Sequence, residues 1–179
     1  MAVISRSTSV RLLVIRLSAM GDVEMVAPVL VALRRNYPNL RITVLTPKFL
    51  QPFFREVGNI EFFAPDLKGR HKGVAGLLRL GRDLGRFDMV ADLHDVLRSK
   101  GLCRLMKLRG TRIERIDKGR AEKKMLTAPE NKQRVQLKTT VERYREVFVR
   151  LGFDLPEIPL PSRIRYPMSE AVARLAGAH

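Results

Sequence analysis

Most of the residues that could do chemistry sit in a few short segments: Ser18-Ala19-Met20-Gly21-Asp22, Lys48, Lys68-Gly69-Arg70-His71-Lys72, His94-Asp95 with Arg98 and Lys100, and Asp117-Lys118-Gly119-Arg120-Ala121-Glu122-Lys123-Lys124. Guanidinium and ammonium groups in loops hold phosphates and carboxylates, Arg through a planar fork and Lys as a point charge. Asp22 follows Gly21, and a carboxylate there can remove a proton or cap the helix behind it; helix-start chemistry alone favours the cap. His94 lies beside Asp95 without a Ser or Cys nucleophile, so a structural or ligand-contacting role is expected. Surface solvation is the competing reading for Arg98 and Lys100, and solubility for Lys68, Arg70, Lys72, Lys118, Arg120, Lys123 and Lys124. Asp92, His94 and Asp95 are close in sequence, but alternation along a strand turns neighbours to opposite faces, so no metal is expected. Cys103 is the single cysteine, which rules out an internal disulfide, and it falls on the apolar side of a helical pattern, where packing is expected.

Charge narrows the partners. Lys and Arg total 34 against 18 Asp and Glu, a formal charge of +16, which favours polyanions. A dinucleotide would need a glycine-rich turn after the first strand, where only Gly21 is present. Nucleic acid is not expected, because aromatic residues make up 6% of the chain, Trp is absent and no recognition motif occurs. A compact anion or a glycan phosphate suits the scattered basic loops better. The first nine residues lack the apolar stretch of a secretory signal, and no apolar run approaches the ~20 residues that span a bilayer. A cytoplasmic protein is expected, with peripheral contact to the inner face of an anionic membrane as a further option.

Elements that would position these loops alternate along the chain. Val10 to Leu17, Arg41 to Thr46, Asn59 to Ala64, Phe87 to Leu93 and Arg112 to Ile116 read as strands. Helical spacing recurs over Val23 to Asn36, Phe49 to Arg55, Val74 to Leu84, Val96 to Leu108 and Leu137 to Leu151. Pro28 restricts the first of these helices to a late start. Lys118 to Arg134 reads as a polar basic stretch. This alternation predicts an α/β domain, a parallel sheet with helices on both faces. Ligands of such sheets bind beyond the carboxyl ends of the strands, so the basic loops are expected to converge on one cleft.

Three segments carry a family resemblance. Arg16-Leu17-Ser18-Ala19-Met20-Gly21-Asp22-Val23 with Pro28 and Leu33, then Asp92-Leu93-His94-Asp95-Val96-Leu97-Arg98-Ser99-Lys100, then Asp117-Lys118-Gly119-Arg120, are similar to glycosyltransferase family 9, the ADP-heptose:lipopolysaccharide heptosyltransferases. The resemblance covers about Val10 to Phe153. It implies the Rossmann-like N-terminal half of a GT-B glycosyltransferase, in which this domain holds the acceptor and a C-terminal domain holds ADP-heptose. By the same resemblance Asp22 is the general base of an inverting transfer to a Kdo-lipid A type inner core. Ser18, Met20, Gly21, Lys68, Arg70, Lys72, His94, Arg98, Lys100, Lys118 and Arg120 would then meet the acceptor, with no cofactor. Gly21 is expected to let the backbone turn sharply so that Asp22 faces the cleft.

The expected organisation is a disordered extension over 1–9, the acceptor-binding domain over 10–153, and over 154–179 a linker leading to a missing donor domain. Pro156, Pro159, Pro161 and Pro167 mark that linker, a short helical fragment from Ser169 to Ala176 follows, and the chain is expected to be a fragment or truncated product. The alternative is a stand-alone basic protein that binds anionic glycolipid or nucleic acid without catalysis.

Overall fold

The computed structural model describes residues 4–5, 9–126 and 136–158. Strands β1 (Arg11–Ile15), β2 (Arg41–Leu45), β3 (Glu61–Phe63), β4 (Met89–Asp92) and β5 (Arg112–Arg115) form one parallel sheet in the order β3-β2-β1-β4-β5. Each strand lies within the run expected from the sequence, shortened by up to two residues at an end; β1, β2 and β4 are largely buried, whereas β5 is Arg-Ile-Glu-Arg with no buried residue. The chain reverses direction across the sheet between β1 and β4, the place where open α/β sheets bind ligands. Register levels the strand ends there: Ile15 pairs with Leu45 on one side and Asp92 on the other, and Asp92 pairs with Arg115. Arg16, Leu93 and Ile116 therefore leave the sheet side by side.

Two apolar layers cover the sheet because side chains alternate along each strand. Leu12 and Val14 pack with Val29, Leu30, Leu33, Tyr144, Val147 and Phe148, which come from helices α2 (Ala27–Asn36) and α6 (Thr140–Arg150). Leu13 and Ile15 pack on the other face with Leu80, Leu102, Cys103 and Met106, from helices α3 (Gly73–Asp83) and α4 (Leu97–Lys107). Full burial of each such leucine or valine contributes about 1.5–3 kcal/mol, so these layers dominate the domain's cohesion.

The single helix expected from Val23 is two. Helix α1 (Met20–Glu24) ends before Met25, and α2 begins afresh at Ala27 with Pro28 in its first turn. Proline's missing N–H costs nothing there, since the first turn of a helix has no acceptors for it. The segment after β2 is a 3-10 helix, Lys48–Phe54. The polar stretch after Asp117 contains helix α5 (Arg120–Leu126), with no buried residue, so it gave no apolar periodicity to read. Helix α6 opens on a reciprocal cap: Thr139 Oγ1 accepts from the Glu142 N–H at 3.2 Å, and the Glu142 carboxylate accepts from the Thr139 N–H at 2.6 Å. Those hydrogen bonds hold the Glu142 carboxyl below its ordinary range.

Ile4, within the extension expected to be disordered, donates its N–H to Gly152 O at 2.9 Å and packs against the core. At the other end Leu155 is buried, and the Asp154 N–H donates to the Tyr37 hydroxyl at 2.7 Å. Pro159, Pro161, Pro167 and the fragment from Ser169 to Ala176 lie outside the described residues. No helix among the described residues is long and apolar enough to cross a membrane.

Helix α3 is threaded past the loop before it at Gly76, where an added Cβ would fall within 3 Å of the His71 backbone. Gly81 on the same helix has room, its nearest neighbours being Leu102 and Leu105 at 3.6 and 3.7 Å. Gly76→Ala should therefore cost about 1–3 kcal/mol in denaturant unfolding. Gly81→Ala should be neutral or stabilise by up to about 1 kcal/mol. Equal stability of the two variants would contradict the close approach.

Candidate functional site

Arg16 follows the last residue of β1, and its side chain is only 8% exposed. Charge can be buried there because both terminal nitrogens and the face of the guanidinium have partners supplied by different elements, while Nε is buried without a hydrogen-bond partner among the described residues. Nη1 donates to Leu93 O beyond β4, and Nη2 donates to Asp22 Oδ2 in α1. The plane lies 5.8 Å from the ring centroid of Tyr144 in α6, within cation–π range. Tyr144 closes the circuit by donating its hydroxyl to Asp22 O at 3.2 Å, and burial pushes its phenol above the ordinary range. Arg16 also donates its backbone N–H to Leu45 O, so the end of β2 joins the same knot.

Asp22 is thus more than a helix cap. Its Oδ2 takes the Arg16 guanidinium together with a long hydrogen bond, 3.4 Å, from the Ala19 N–H at the start of α1. Oδ1 has no hydrogen bond from any described residue, and the side chain keeps 38% of its surface open. Gly21 sits within α1 without positive φ, so it makes no sharp turn, contrary to expectation; a Cβ there would meet nothing within 4 Å. The surface over Gly21, beside exposed Ser18 and Met20, is open space.

Beyond β4 a second buried side chain does for its loop what Arg16 does for the first. Asp92 is fully buried, and its Oδ1 accepts from the N–H groups of His94 and Asp95 at 3.1 and 2.9 Å. Its Oδ2 accepts from the Ser99 hydroxyl at 3.0 Å and from Arg115 Nε at 3.2 Å. This clamp holds Asp95 at φ 45°, a left-handed conformation that Asp tolerates better than most residues. Asp95 in turn pairs with Lys100 at 3.2 Å and Arg115 at 3.5 Å, and its carbonyl accepts from Lys118 Nζ at 3.2 Å. Burial, helped by Asp92, pushes the Cys103 thiol up to about 12, in keeping with a packing role.

His94 stands between the two clamps. Burial and the Arg16 charge lower its pKa, with Lys118 adding to the effect, so the imidazole is neutral at pH 7. Its Nδ1 is buried without a partner among the described residues. Burial likewise lowers the Lys118 pKa, with Arg120 and Arg16 acting in the same direction. Lys118, Arg120, His94, Arg16 and Asp22 therefore share one electrostatic neighbourhood at the carboxyl ends of β1, β4 and β5. Arg98, the second residue of α4, has neither an ion pair nor a side-chain hydrogen bond among the described residues.

The loop after β3 does not join this group. Arg70 grips Asp83 at the far end of α3 with Nε at 2.8 Å and Nη2 at 3.0 Å, and buried His71 reaches the same carboxylate at 3.0 Å. His71 Nδ1 accepts from the Asp66 N–H, so the proton on the ring points at Asp83 from Nε2. These contacts hold the Asp83 carboxyl well below the ordinary range, Arg70 contributing most. Lys68 and Lys72 are exposed nearby. The expected single cleft is accordingly two basic regions, with the site proper around Arg16. Two open hollows, of about 500 Å³ against α6 and about 450 Å³ beside Pro38 and Asn59, lie away from it.

Arg16, Asp92 and Tyr144 are the site-forming residues to which sequence reasoning gave no role. A charged residue ending an otherwise apolar strand, as in RLLVIRL or MVAD, was the available signal. The Arg16–Asp22 pair should be energetically real because one partner is buried, and diluted because the other is half open. A double-mutant cycle of Arg16→Met and Asp22→Asn should give a coupling energy of about 1–3 kcal/mol. Simple additivity of the two substitutions would mean that the contact organises nothing.

Comparison with known proteins adds the following. No protein-family model matches the sequence, and no curated protein does. Among solved structures, a glycosyl transferase of family 9 from Veillonella parvula DSM 2008 superposes with a TM-score of 0.60 at 23% identity, over 94% of this chain and 48% of that one. E. coli heptosyltransferase WaaC with ADP gives a TM-score of 0.56 at 21% identity, over 82% of this chain and 48% of that one. WaaC with ADP-2-deoxy-2-fluoro heptose gives 0.54 at 19% identity, over 82% and 50%. The chain spans about half the length of the solved structures it matches. By this likeness the chain has the fold of one half of a GT-B glycosyltransferase such as those of family 9.

Proposed function

We propose that this chain is the acceptor-binding half of an inverting heptosyltransferase that moves a heptose from ADP-heptose to an inner-core lipopolysaccharide acceptor of the Kdo-lipid A kind. The observation that carries the reading is the Asp22 carboxylate, fixed by Arg16 through one oxygen and open through the other, at the switch point of a sheet matching half of a family 9 enzyme. In the proposed reaction an acceptor hydroxyl attacks the anomeric carbon from the side opposite ADP. The carbon–oxygen bond to the diphosphate breaks and its electron pair leaves with ADP, while the hydroxyl proton passes to Asp22 Oδ1. A carboxylate is a weak base, and it suffices because the hydroxyl grows acidic only as the new bond forms. The Arg16 pair fixes the direction of Oδ1, which matters more than basicity for a transfer that depends on position.

In this reading Lys118, Arg120 and Arg98 meet the carboxylates and phosphates of such an acceptor, beside the half-buried, neutral His94. Lys100 is committed to Asp95 and is less available. The open surface over Gly21 gives a sugar ring room to approach the backbone. The donor is assigned to the half of the enzyme that this chain does not span, in keeping with WaaC having been solved with ADP and with an ADP-sugar analogue.

The test joins this chain to the second half of a family 9 glycosyltransferase and compares wild type with Asp22→Asn. Turnover should fall by the ~10²- to 10⁴-fold typical of losing a general base, with the acceptor KM little changed. Asn also leaves the buried Arg16 without its anion, so a lowered Tm is expected and kcat must be read well below it. Wild-type turnover in the Asn variant would remove Asp22 from the chemistry.

A further inference from the structure

Helix α3 turns an unusual face to solvent. Val74 is 79% exposed and Leu78 49% exposed, although neighbours Gly76, Leu80 and Gly81 are buried. Val74, Leu78 and Arg82 follow one another at four-residue spacing, and Ala75 and Arg79 form the adjoining row, so these side chains share one stripe. Lys72 precedes it. Lys72, Arg79 and Arg82 are exposed and have no acidic partner among the described residues; the one acidic residue of α3, Asp83, is taken by Arg70 and His71. Helix α4 packs alongside, with Leu77 against Gly101 and Leu102 against Gly81, and both helices start from the carboxyl end of the sheet. That neighbour begins with Leu97, 86% exposed.

We propose that the outer face of α3, with Leu97 at the start of α4, is a membrane-contact surface that docks on anionic phospholipid. Apolar side chains flanked by long cations suit an interface where Val74, Leu78 and Leu97 sink below the headgroups while Lys72, Arg79 and Arg82 reach lipid phosphates. Charge complementarity selects the occupant: a chain of formal charge +16 is drawn to a surface of negative potential, and this face carries no free carboxylate to oppose it. A partner protein would have to bring its own anionic groups to three unpaired cations and an apolar stripe together. The two helices that carry it start from the same end of the sheet as the loops of Asp22 and His94. The inference stands on the surface itself and does not require glycosyl transfer.

Co-sedimentation with vesicles tests it. The protein should bind vesicles of phosphatidylcholine mixed with phosphatidylglycerol and not those of phosphatidylcholine alone, and raising the salt to about 0.5 M should weaken binding. The double substitution Val74→Ser with Leu78→Ser should reduce partitioning at least about tenfold without lowering Tm, since both side chains are solvent-exposed. Leu108→Ser, at the opposite end of α4 and equally exposed at 86%, should bind as wild type. Four results would each overturn the proposal: failure of wild type to bind anionic vesicles, wild-type binding by the double variant, an equal loss from Leu108→Ser, or dissociation of a dimer by the double variant without vesicle binding in the wild type.

Discussion

A guanidinium cannot enter a protein interior without acceptors, because its loss of hydration costs several kcal/mol unless hydrogen bonds and an opposite charge replace the water. Arg16 enters at the level where β1, β2 and β4 end together, and its demands shape what surrounds it. The loop after β1 has to deliver Asp22, the end of β4 has to turn Leu93 O inward, and α6 has to present the face of Tyr144. A buried cation is thus what converts an open sheet edge into a fixed arrangement of groups. Asp92 repeats the device with opposite sign one strand away, its Oδ1 setting the path of the chain through His94 and Asp95 while Oδ2 is held by Ser99 and Arg115.

The two clamps differ in what they leave exposed. Asp92 is fully enclosed and its loop presents mainly backbone and a neutral imidazole. Asp22 keeps one oxygen open, which is the arrangement a proton acceptor requires and a purely structural ion pair does not. The basic groups that face the same region come from after β4 and β5, whereas Arg70 is spent on Asp83. Positive charge at the site and positive charge on α3 are therefore separate resources, one suited to a compact anion and the other to a lipid surface.

Apolar periodicity carried most of the fold. Strands β1, β2 and β4 were legible because a buried parallel strand writes itself as a short apolar run, β3 and the mostly charged β5 by their place in the alternation of elements, and α3, α4 and α6 as amphipathic repeats. Helix α5 was not, since it buries nothing, and the break between α1 and α2 was hidden by continuous apolar spacing across Met25 and Val26. The carboxyl-edge position of the charged loops followed from topology alone. Their pairing did not: nothing local tells that Arg70 reaches Asp83 or that Arg16 reaches Asp22 and Leu93, since those contacts depend on where helices return. Asp22 was visible as a candidate, but its burial partner, which decides how the carboxylate is aimed, was not.

The claim that Arg16 is the organising residue is tested most directly by amide hydrogen exchange on Arg16→Met. Protection should fall together in two segments distant in sequence, at Val23 in α1 and Met25 just after it, and at His94 and Asp95 after β4, while α2 and the β2–β3 ladder exchange as in wild type. Loss confined to α1, or unchanged protection after β4, would show that the strand-end loops hold their shape without the buried guanidinium.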